Sequence, residues 1–247
     1  SVAQRSLDST NWTITRLPST LGWDSHNYVT MAVDRDGILH LAGNMHCVPL
    51  VYFRSKKPMD ATSLGRIEAM TGHREQSVTY PVFLRDLGGR LVFRYRDGRS
   101  GSGDDLYNCY DETSRTWRRL LAEPLTSGRG RMNAYCSVPM AGPDGRFHMV
   151  WVWRNTPDCA SNHDLSYAGS DDLVHWTDSA GRPLALPITV ETGDIVDPPP
   201  SKAWVFMDER EDSINDGLFQ TNLKGRGKLA KIVDYPASYH TRAAGIS

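Results

Sequence analysis

The chain has 247 residues, of which 39% are hydrophobic, and its formal net charge is −1. A chain of this length can bury a proper core as one large all-β domain or as two ordinary domains. The small net charge argues against nucleic acid or an anionic membrane surface as the main partner, and no apolar run is long enough for a membrane span. The N-terminal SVAQRSLDST lacks a signal-peptide pattern, so we expect a mature chain or one that lacks its start.

One strand, turn, strand unit recurs along the chain. Its copies read MAVDRDGILHLA at residues 31–42, FLRDLGGRLVFR at 83–94 and MAGPDGRFHMVWV at 140–152. A second element with a tyrosine follows each copy, at Tyr52, Tyr107 and Tyr167. Four short strands every 50 to 60 residues are the pattern of propeller blades, so we predict antiparallel four-stranded sheets with almost no helix.

The stretch from Thr79 to Asp105 contains the second copy and a glycine-rich loop. Pro81–Leu84 and Leu91–Tyr95 read as the strands of a hairpin, the second of them alternating as a half-buried strand does. Three arginines then lead into the loop, at Arg94, Arg96 and Arg99. An arginine at a strand end beside such a loop is suited to bind a carboxylate with two hydrogen bonds. A solvated arginine on the outer face of a strand is the alternative.

Several motifs in order resemble a known family. Residues 170–176, SDDLVHW, are similar to the Asp-box of sialidase-like propellers but lack its glycine and threonine, and that box is a structural turn. Over about residues 23–196, the motifs HNYVTMAVDRDGILHLAGNMH, YRDGRSGSGD, DGRFHMVWVWR and NHDLSYAGSDD resemble the BNR-4 propellers, which include ulvan lyases. The resemblance implies an all-β, partial β-propeller of about three blades.

The same resemblance implies a catalytic set. Ulvan lyases cleave next to a uronic acid by β-elimination, and their two histidines, tyrosine and arginine match His26, His46, Tyr80 and Arg96. Proton abstraction next to a carboxylate needs a base that works near neutral pH, which suits a histidine, and a cation to neutralise the charge, which suits Arg96. Tyr80 or the other histidine could protonate the leaving oxygen.

Other residues are predicted to bind substrate or to have structural roles. Asn27, Arg94, Arg99 and Tyr135 are the candidate substrate-binding residues. Three further histidines lie within repeat positions and are expected to be surface or hydrogen-bonded residues: His40, His148 and His175. Trp151 and Trp153 are expected in the core, with sugar stacking by one of them as the alternative.

The sequence is compatible with metal binding and with disulfide bonds but requires neither. Cys47, Cys109, Cys136 and Cys159 permit two disulfides without requiring any. His163 with Cys136 or Cys47 offers soft metal ligands, although buried cysteine packing is the favoured interpretation. Asp104 and Asp105 could hold calcium, but we expect them to cap a turn. No cofactor is required by the proposed chemistry, although a structural zinc or calcium ion is compatible with it.

The composition changes after the propeller-like region. We predict BNR-4-like blades at residues 1–196, a proline-rich junction at 197–202 and a separate β-rich tail at 203–247. The tail resembles pseudopilin-like proteins with a prepilin-type processing-associated motif. A composite or truncated chain is therefore expected, with a genuine extra module as the alternative.

Two main functions are consistent with the sequence. The first is a polysaccharide lyase that acts on a uronic-acid-containing, ulvan-like and sulfated polymer, and the second is a propeller that binds glycans or proteins without catalysis. A sialidase fits less well because an arginine triad cannot be assigned, and a pilus or secretion component fits only the tail. We expect an acidic polysaccharide partner, a monomer once the propeller is complete, and a secreted, periplasmic or cell-envelope location.

Overall fold

The computed structural model describes residues 1–197, so the predicted tail at 203–247 lies outside the described residues. In this range the helical segments are two 3-10 turns, Ala61–Ser63 and Cys159–Ser161. The strands in chain order are β1 (Val2–Gln4), β2 (Thr13–Thr15), β3 (Val29–Val33), β4 (Leu39–Gly43), β5 (His46–Val48), β6 (Tyr52–Ser55), β7 (Leu64–Ile67), β8 (Val78–Arg85), β9 (Leu91–Asp97), β10 (Asp104–Asp111), β11 (Thr116–Arg119), β12 (Asn133–Cys136), β13 (Met140–Ala141), β14 (Phe147–Arg154), β15 (Asn162–Ser170), β16 (Trp176–Thr177) and β17 (Asp194–Asp197).

The chain divides into two units. The first consists of Ser1–Asp97 and Tyr107–Ala122, and the described part of the second consists of residues 98–106 and 123–197. In the first unit β1 pairs with β2, and a four-stranded antiparallel sheet has the order β3-β4-β6-β7. A five-stranded sheet has the order β11-β10-β9-β8-β5 and lies in the first unit apart from the beginning of β10.

The second unit contains the third sheet. Its strands run in the order β12-β14-β15-β16, with β13 paired to β14 and β17 paired to β15. The prediction of four-stranded sheets therefore describes the first sheet and the central strands of the other two. Short strands add to the edges or ends of those two sheets because unpaired backbone groups of neighbouring loops find partners there.

The three predicted turns share one geometry. The N–H of each turn glycine donates to the carbonyl three residues earlier, Gly37 to Asp34, Gly89 to Asp86 and Gly145 to Gly142, at 2.9–3.1 Å. All three glycines have φ between 77° and 79°, a conformation that suits glycine because it has no Cβ. The repeated hairpin is thus confirmed in backbone geometry as well as in pattern.

Aromatic side chains fill the core of the first unit. The ring of His40 lies 4.7 Å from that of Tyr110 and 5.8 Å from that of Trp117, measured between centroids. Leu91–Tyr95 is buried at every position, so the prediction of a half-buried strand was wrong. The alternation failed as a signal because Arg94 and Arg96, on the face taken as exposed, are themselves buried.

The second unit has its own tryptophan core. Trp151 and Trp153 are fully buried, with ring centroids 6.3 Å apart, and the intervening Val152 is buried too. Both tryptophans therefore pack in the core of the second unit, as expected. The all-β sheets and repeated hairpins together define a partial β-propeller.

Cysteines form no disulfide in this fold. All four belong to the described residues, and each has a free thiol. Within residues 1–197 no helix is long and apolar enough to cross a membrane.

Candidate functional site

Asp24 connects the two histidines of the predicted catalytic set. Nδ1 of His26 lies 2.6 Å from Oδ1 of Asp24, and Nδ1 of His46 lies 2.6 Å from Oδ2 of the same carboxylate. The two imidazole rings stack with their centroids 3.9 Å apart and their planes 15° apart. An ionised carboxylate only accepts hydrogen bonds, so in the neutral rings Nδ1 carries the proton and Nε2 is the basic atom.

A local turn places Asp24 and His26. The N–H of His26 donates to Oδ1 of Asp24 at 2.9 Å, and the N–H of Asn27 donates to the Asp24 carbonyl at 2.9 Å. This is the turn that aspartate side chains favour, and it ends just before β3. Burial alone would raise the pKa of Asp24, but hydrogen bonds from His26 and His46 hold that pKa well below the usual carboxyl range. Asp24 is therefore an anion at neutral pH.

The histidine pair is accessible from one side. His26 is buried, whereas 38% of the His46 side chain is exposed. His46 begins β5, where it is the partner of Thr79 on β8. A ligand would therefore meet the pair at the His46 ring.

Tyr80 packs against the histidines in a strained backbone conformation. Its ring centroid lies 5.5 Å from that of His26. Its φ of 57° falls in the left-handed region, inside β8 and next to a register shift between Thr79 and Val82. Tyrosine rarely adopts this conformation, and such residues cluster at binding and catalytic sites. The bulge turns the tyrosine ring towards His26 instead of leaving it in the regular strand alternation.

Arg96 lies beneath Tyr80. Its Cζ is 4.8 Å from the centre of the Tyr80 ring, which is the distance of a cation–π contact. One of its terminal nitrogens donates to Thr79 Oγ1 at 3.1 Å and contacts Cys47 Sγ at 3.4 Å. Arg96 is only 3% exposed, so its guanidinium contacts protein groups and hardly any solvent.

The other predicted residues fall in different places. Asn27 adjoins His26, and Arg94 is buried in β9 two positions before Arg96. Arg99 and Tyr135 belong to the second unit. There the Tyr135 hydroxyl lies 2.5 Å from Ser100 Oγ, and its ring lies 4.0 Å from Cζ of Arg154. All eight assignments remain predictions.

Sequence reasoning missed three members of this group. Asp24 is the most important, and its position two residues before His26 was the one available signal. Thr79 and Cys47 are joined by a 2.8 Å hydrogen bond from the Cys47 N–H to Thr79 Oγ1. No local pattern marks either residue, because the contact joins strands 32 residues apart.

The histidines expected to be structural have the partners of structural residues. His40 is fully buried, with Nδ1 2.7 Å from the Tyr52 hydroxyl and Nε2 3.3 Å from Asp34. Burial lowers the pKa of His40 to about 4, so the ring is neutral at physiological pH. His148 has a matching pair of contacts, to the Tyr167 hydroxyl at 2.8 Å and to Asp144 at 3.0 Å.

A metal has one candidate donor set in the described residues. Asp24, His26 and His46 each offer a ligand atom, and these atoms lie within 4.8 Å of one another. Two imidazoles and a carboxylate suit a divalent transition metal. The alternative of His163 with Cys136 or Cys47 is not among the groups of three or more potential ligands in residues 1–197. The His163 ring instead contacts Asp164 and Asn155.

The antiparallel sheets and their repeated hairpins place the chain in the class of all-β repeat proteins with propeller-like blades. The sequence profile described as a BNR repeat-containing family member matches residues 1–215, so the chain belongs to that family. The match runs past the predicted boundary at residue 196. No curated protein matches the chain.

Two solved propeller structures are similar in fold. One is the polysaccharide lyase Uly1, with a TM-score of 0.57, 21% identity, and coverage of 66% of this chain and 44% of that one. The other is a PL25 ulvan lyase bound to -[GlcA(1-4)Rha3S]-, with a TM-score of 0.56, 16% identity, and coverage of 72% and 47%. This chain thus spans less than half the length of either protein.

Proposed function

We propose that this protein is a polysaccharide lyase that cleaves a uronic-acid-containing polymer by β-elimination. The observation that carries the proposal is the clamp of two stacked imidazoles on the Asp24 carboxylate, beside Tyr80 and Arg96. A pair of histidines with their Nδ1 atoms fixed by one anion is suited to proton transfer. The two similar solved structures are named as a polysaccharide lyase and an ulvan lyase, which favours the same chemistry.

The reaction needs one proton removed and one proton delivered. Nε2 of a neutral histidine takes the proton on the carbon next to the uronate carboxylate. The electron pair of that C–H bond forms the new double bond, and the bond from the β-carbon to the glycosidic oxygen breaks. Tyr80 or the second histidine gives a proton to the leaving oxygen. The products are an unsaturated uronate end and a free hydroxyl end.

Arg96 supplies positive charge to the same reaction. As the proton leaves, negative charge develops on the uronate carboxylate, and a nearby guanidinium stabilises it. In the described state Arg96 is nearly enclosed by Tyr80, Thr79 and Cys47. Its charge therefore acts from behind the tyrosine, in surroundings that screen it less than water would.

The substrate is proposed to be an ulvan-like, sulfated polymer. The bound ligand of the PL25 ulvan lyase contains glucuronate and a sulfated rhamnose. Uronate supplies the carboxylate that elimination requires. Polymers without a uronate should therefore give no reaction.

The test is ultraviolet absorbance during digestion, because elimination creates a conjugated double bond. With ulvan and other uronic-acid polymers, the wild type should show rising absorbance. Tyr80→Phe and His46→Ala should each lose on the order of 100-fold or more of the rate, because each removes a proton-transfer group. Arg96→Ala should lose a similar factor through the uncompensated charge.

Arg118→Ala is the matched control, because Arg118 is an exposed arginine on β11 of the first unit and has no proposed role at the site. It should retain most of the activity. Equal losses in Arg96→Ala and Arg118→Ala, or no absorbance change with any uronic-acid polymer, would contradict the lyase proposal. Circular dichroism of each variant separates lost chemistry from lost folding.

A glycan-binding propeller without catalysis is the second candidate. The observation that favours it is the small exposed fraction of Arg96, which limits direct contact with a carboxylate. In that case ulvan would bind in a titration but its absorbance would stay constant.

A further inference from the structure

Trp23 is the most exposed large apolar side chain of the described residues. Its indole is fully exposed, whereas a folded protein usually covers most of a tryptophan surface. Tryptophan is enriched at binding surfaces, because its indole offers a large apolar contact area with a polar N–H at one edge. Its place in the chain makes the exposure informative, because the next residue is Asp24.

The backbone on both sides of Trp23 is held in place. On one side, the N–H of Gly22 donates to Oδ1 of Asn44 at 3.3 Å, and Nδ2 of Asn44 donates to Ser19 Oγ at 3.0 Å and to the Thr20 carbonyl at 2.8 Å. On the other side, Asp24 is bound by both histidine rings. The indole is therefore displayed by a fixed loop.

Asn44 has a backbone conformation that matches this role. Its φ is 62°, in the left-handed region that asparagine tolerates better than most residues, and its N–H donates to the Tyr28 carbonyl at 3.1 Å. Asn44 thus ties the segment before Trp23 to the connection between β4 and β5, the strand that His46 begins. The exposed indole and the exposed histidine share one scaffold.

We propose that Trp23 is a sugar-stacking subsite, which binds a pyranose ring of the polymer next to the cleaved bond. Pyranose rings carry C–H groups on their faces, and these pack on the electron-rich face of an indole. Trp23 directly precedes Asp24, the carboxylate that contacts both histidines, and on this ground the proposal places the bound ring beside the histidine pair. This inference rests on the proposed function for the identity of the ligand, a polysaccharide.

The experiment compares four proteins: the wild type, Trp23→Ala, Trp23→Tyr and Trp12→Ala. Trp12 is the matched control, since it is an exposed tryptophan of the same unit whose ring faces Arg5. Ulvan oligosaccharides are titrated while tryptophan fluorescence is recorded, and binding is measured independently by calorimetry. Trp23→Ala should bind about tenfold more weakly, Trp23→Tyr should recover much of the loss, and Trp12→Ala should bind as the wild type does.

Kinetics give a second readout that a purely structural role would not move. Trp23→Ala should raise KM for the polymer and leave kcat near the wild-type value, because stacking acts on binding and not on proton transfer. Unchanged affinity in Trp23→Ala, or an equal loss in Trp12→Ala, would overturn the inference. So would a wild-type Trp23 that acrylamide cannot quench, because the indole would then be covered by another part of the protein.

The outcomes also separate this inference from the lyase proposal. Binding that depends on Trp23 without any elimination would sustain the subsite and refute the lyase. Elimination with an unchanged KM in Trp23→Ala would sustain the lyase proposal and refute the subsite. Absence of both binding and elimination with every uronic-acid polymer tested, ulvan included, would refute both.

Discussion

At the scale of single residues, Asp24 gives the two histidines a common orientation. One carboxylate accepts from both Nδ1 atoms at 2.6 Å, which fixes the tautomer of each ring when it is neutral. Asp24 contacts the histidines and no other part of the proposed reaction, so it is a positioning residue. Its substitution should affect the rate of proton transfer and leave the fold intact, because part of its side chain is already solvent-exposed.

Asp24→Asn is expected to lower kcat by about 10- to 100-fold with little change in KM. The asparagine side chain has one acceptor oxygen, and its NH₂ group cannot accept from an imidazole N–H, so one histidine loses its partner. Absorbance assays over a range of ulvan concentrations measure both constants. Asp24→Glu should restore part of the rate because it keeps both acceptors.

Asp36→Asn is the control for that experiment. Asp36 is an exposed carboxylate in a hairpin turn of the same unit. It should leave kcat and KM unchanged. If Asp24→Asn retained wild-type kcat, the two histidines would not depend on a shared anion, and the proposed mechanism would need another source of basicity.

At the scale of elements, the repeat separates scaffold from site. The Tyr80–Arg96 stack in the first unit has a counterpart in the second, Tyr135 over Arg154 at 4.0 Å. The repeated architecture therefore supplies the stacking of a tyrosine on an arginine, and the neighbouring groups decide whether such a pair has a chemical role. Within residues 1–197 a histidine pair on a shared carboxylate occurs beside Tyr80 and not beside Tyr135, and the proposed chemistry is accordingly assigned to the first unit.

The repeated hairpins could be predicted from the sequence, whereas contacts between distant segments could not. Hairpin turns are visible because glycine spacing and strand alternation are local properties. The bond between Asp24 and His46 spans 22 residues and leaves no periodic signal. The left-handed conformation of Tyr80 was equally hidden, because a bulge is set by the pairing of β8 with β9 and not by propensity.

Two residues of the predicted catalytic set, distant in sequence, lie close together in the fold. His26 and Tyr80 come from separate strand regions, and their rings lie 5.5 Å apart. The family resemblance supplied this grouping, since spacing alone left each histidine open between a surface and a functional role. Propeller geometry explains their proximity, because equivalent loops of successive sheets return to the same end of the repeat.

Gly145→Ala tests the hairpin geometry. Gly145 has φ of 77°, and a Cβ added there would meet no atom within 4 Å, so only backbone strain opposes the substitution. We expect a loss of about 1 kcal/mol in the free energy of unfolding, measured with urea.

Gly65→Ala is the paired control, in β7, where the nearest atom to an added Cβ is Lys56 Cε at 3.9 Å. It should be neutral or slightly stabilising, because alanine loses less backbone freedom on folding. A loss in Gly65→Ala as large as that in Gly145→Ala would mean that glycine is needed for something other than its conformation.

At the scale of the whole molecule, the first sheet presents an apolar edge. β3 is the terminal strand in the order β3-β4-β6-β7, and Val29 and Met31 on it are 47% and 57% exposed. Exposed apolar strands at a sheet edge are sites of association with other chains. The chain also spans less than half the length of the solved lyases that it matches. We therefore expect self-association of the chain in solution to proceed through β3.

Met31→Lys is expected to reduce self-association of the chain as it stands. A lysine on an edge strand opposes pairing with a second strand because its charge must remain hydrated. Light scattering over a range of concentrations should show an apparent mass that rises for the wild type and stays lower for Met31→Lys. Leu87→Lys adds the same charge at an exposed turn between β8 and β9, and it should associate as the wild type does. If the wild type is monomeric at every concentration, or if both lysine variants lower the mass equally, association does not proceed through β3.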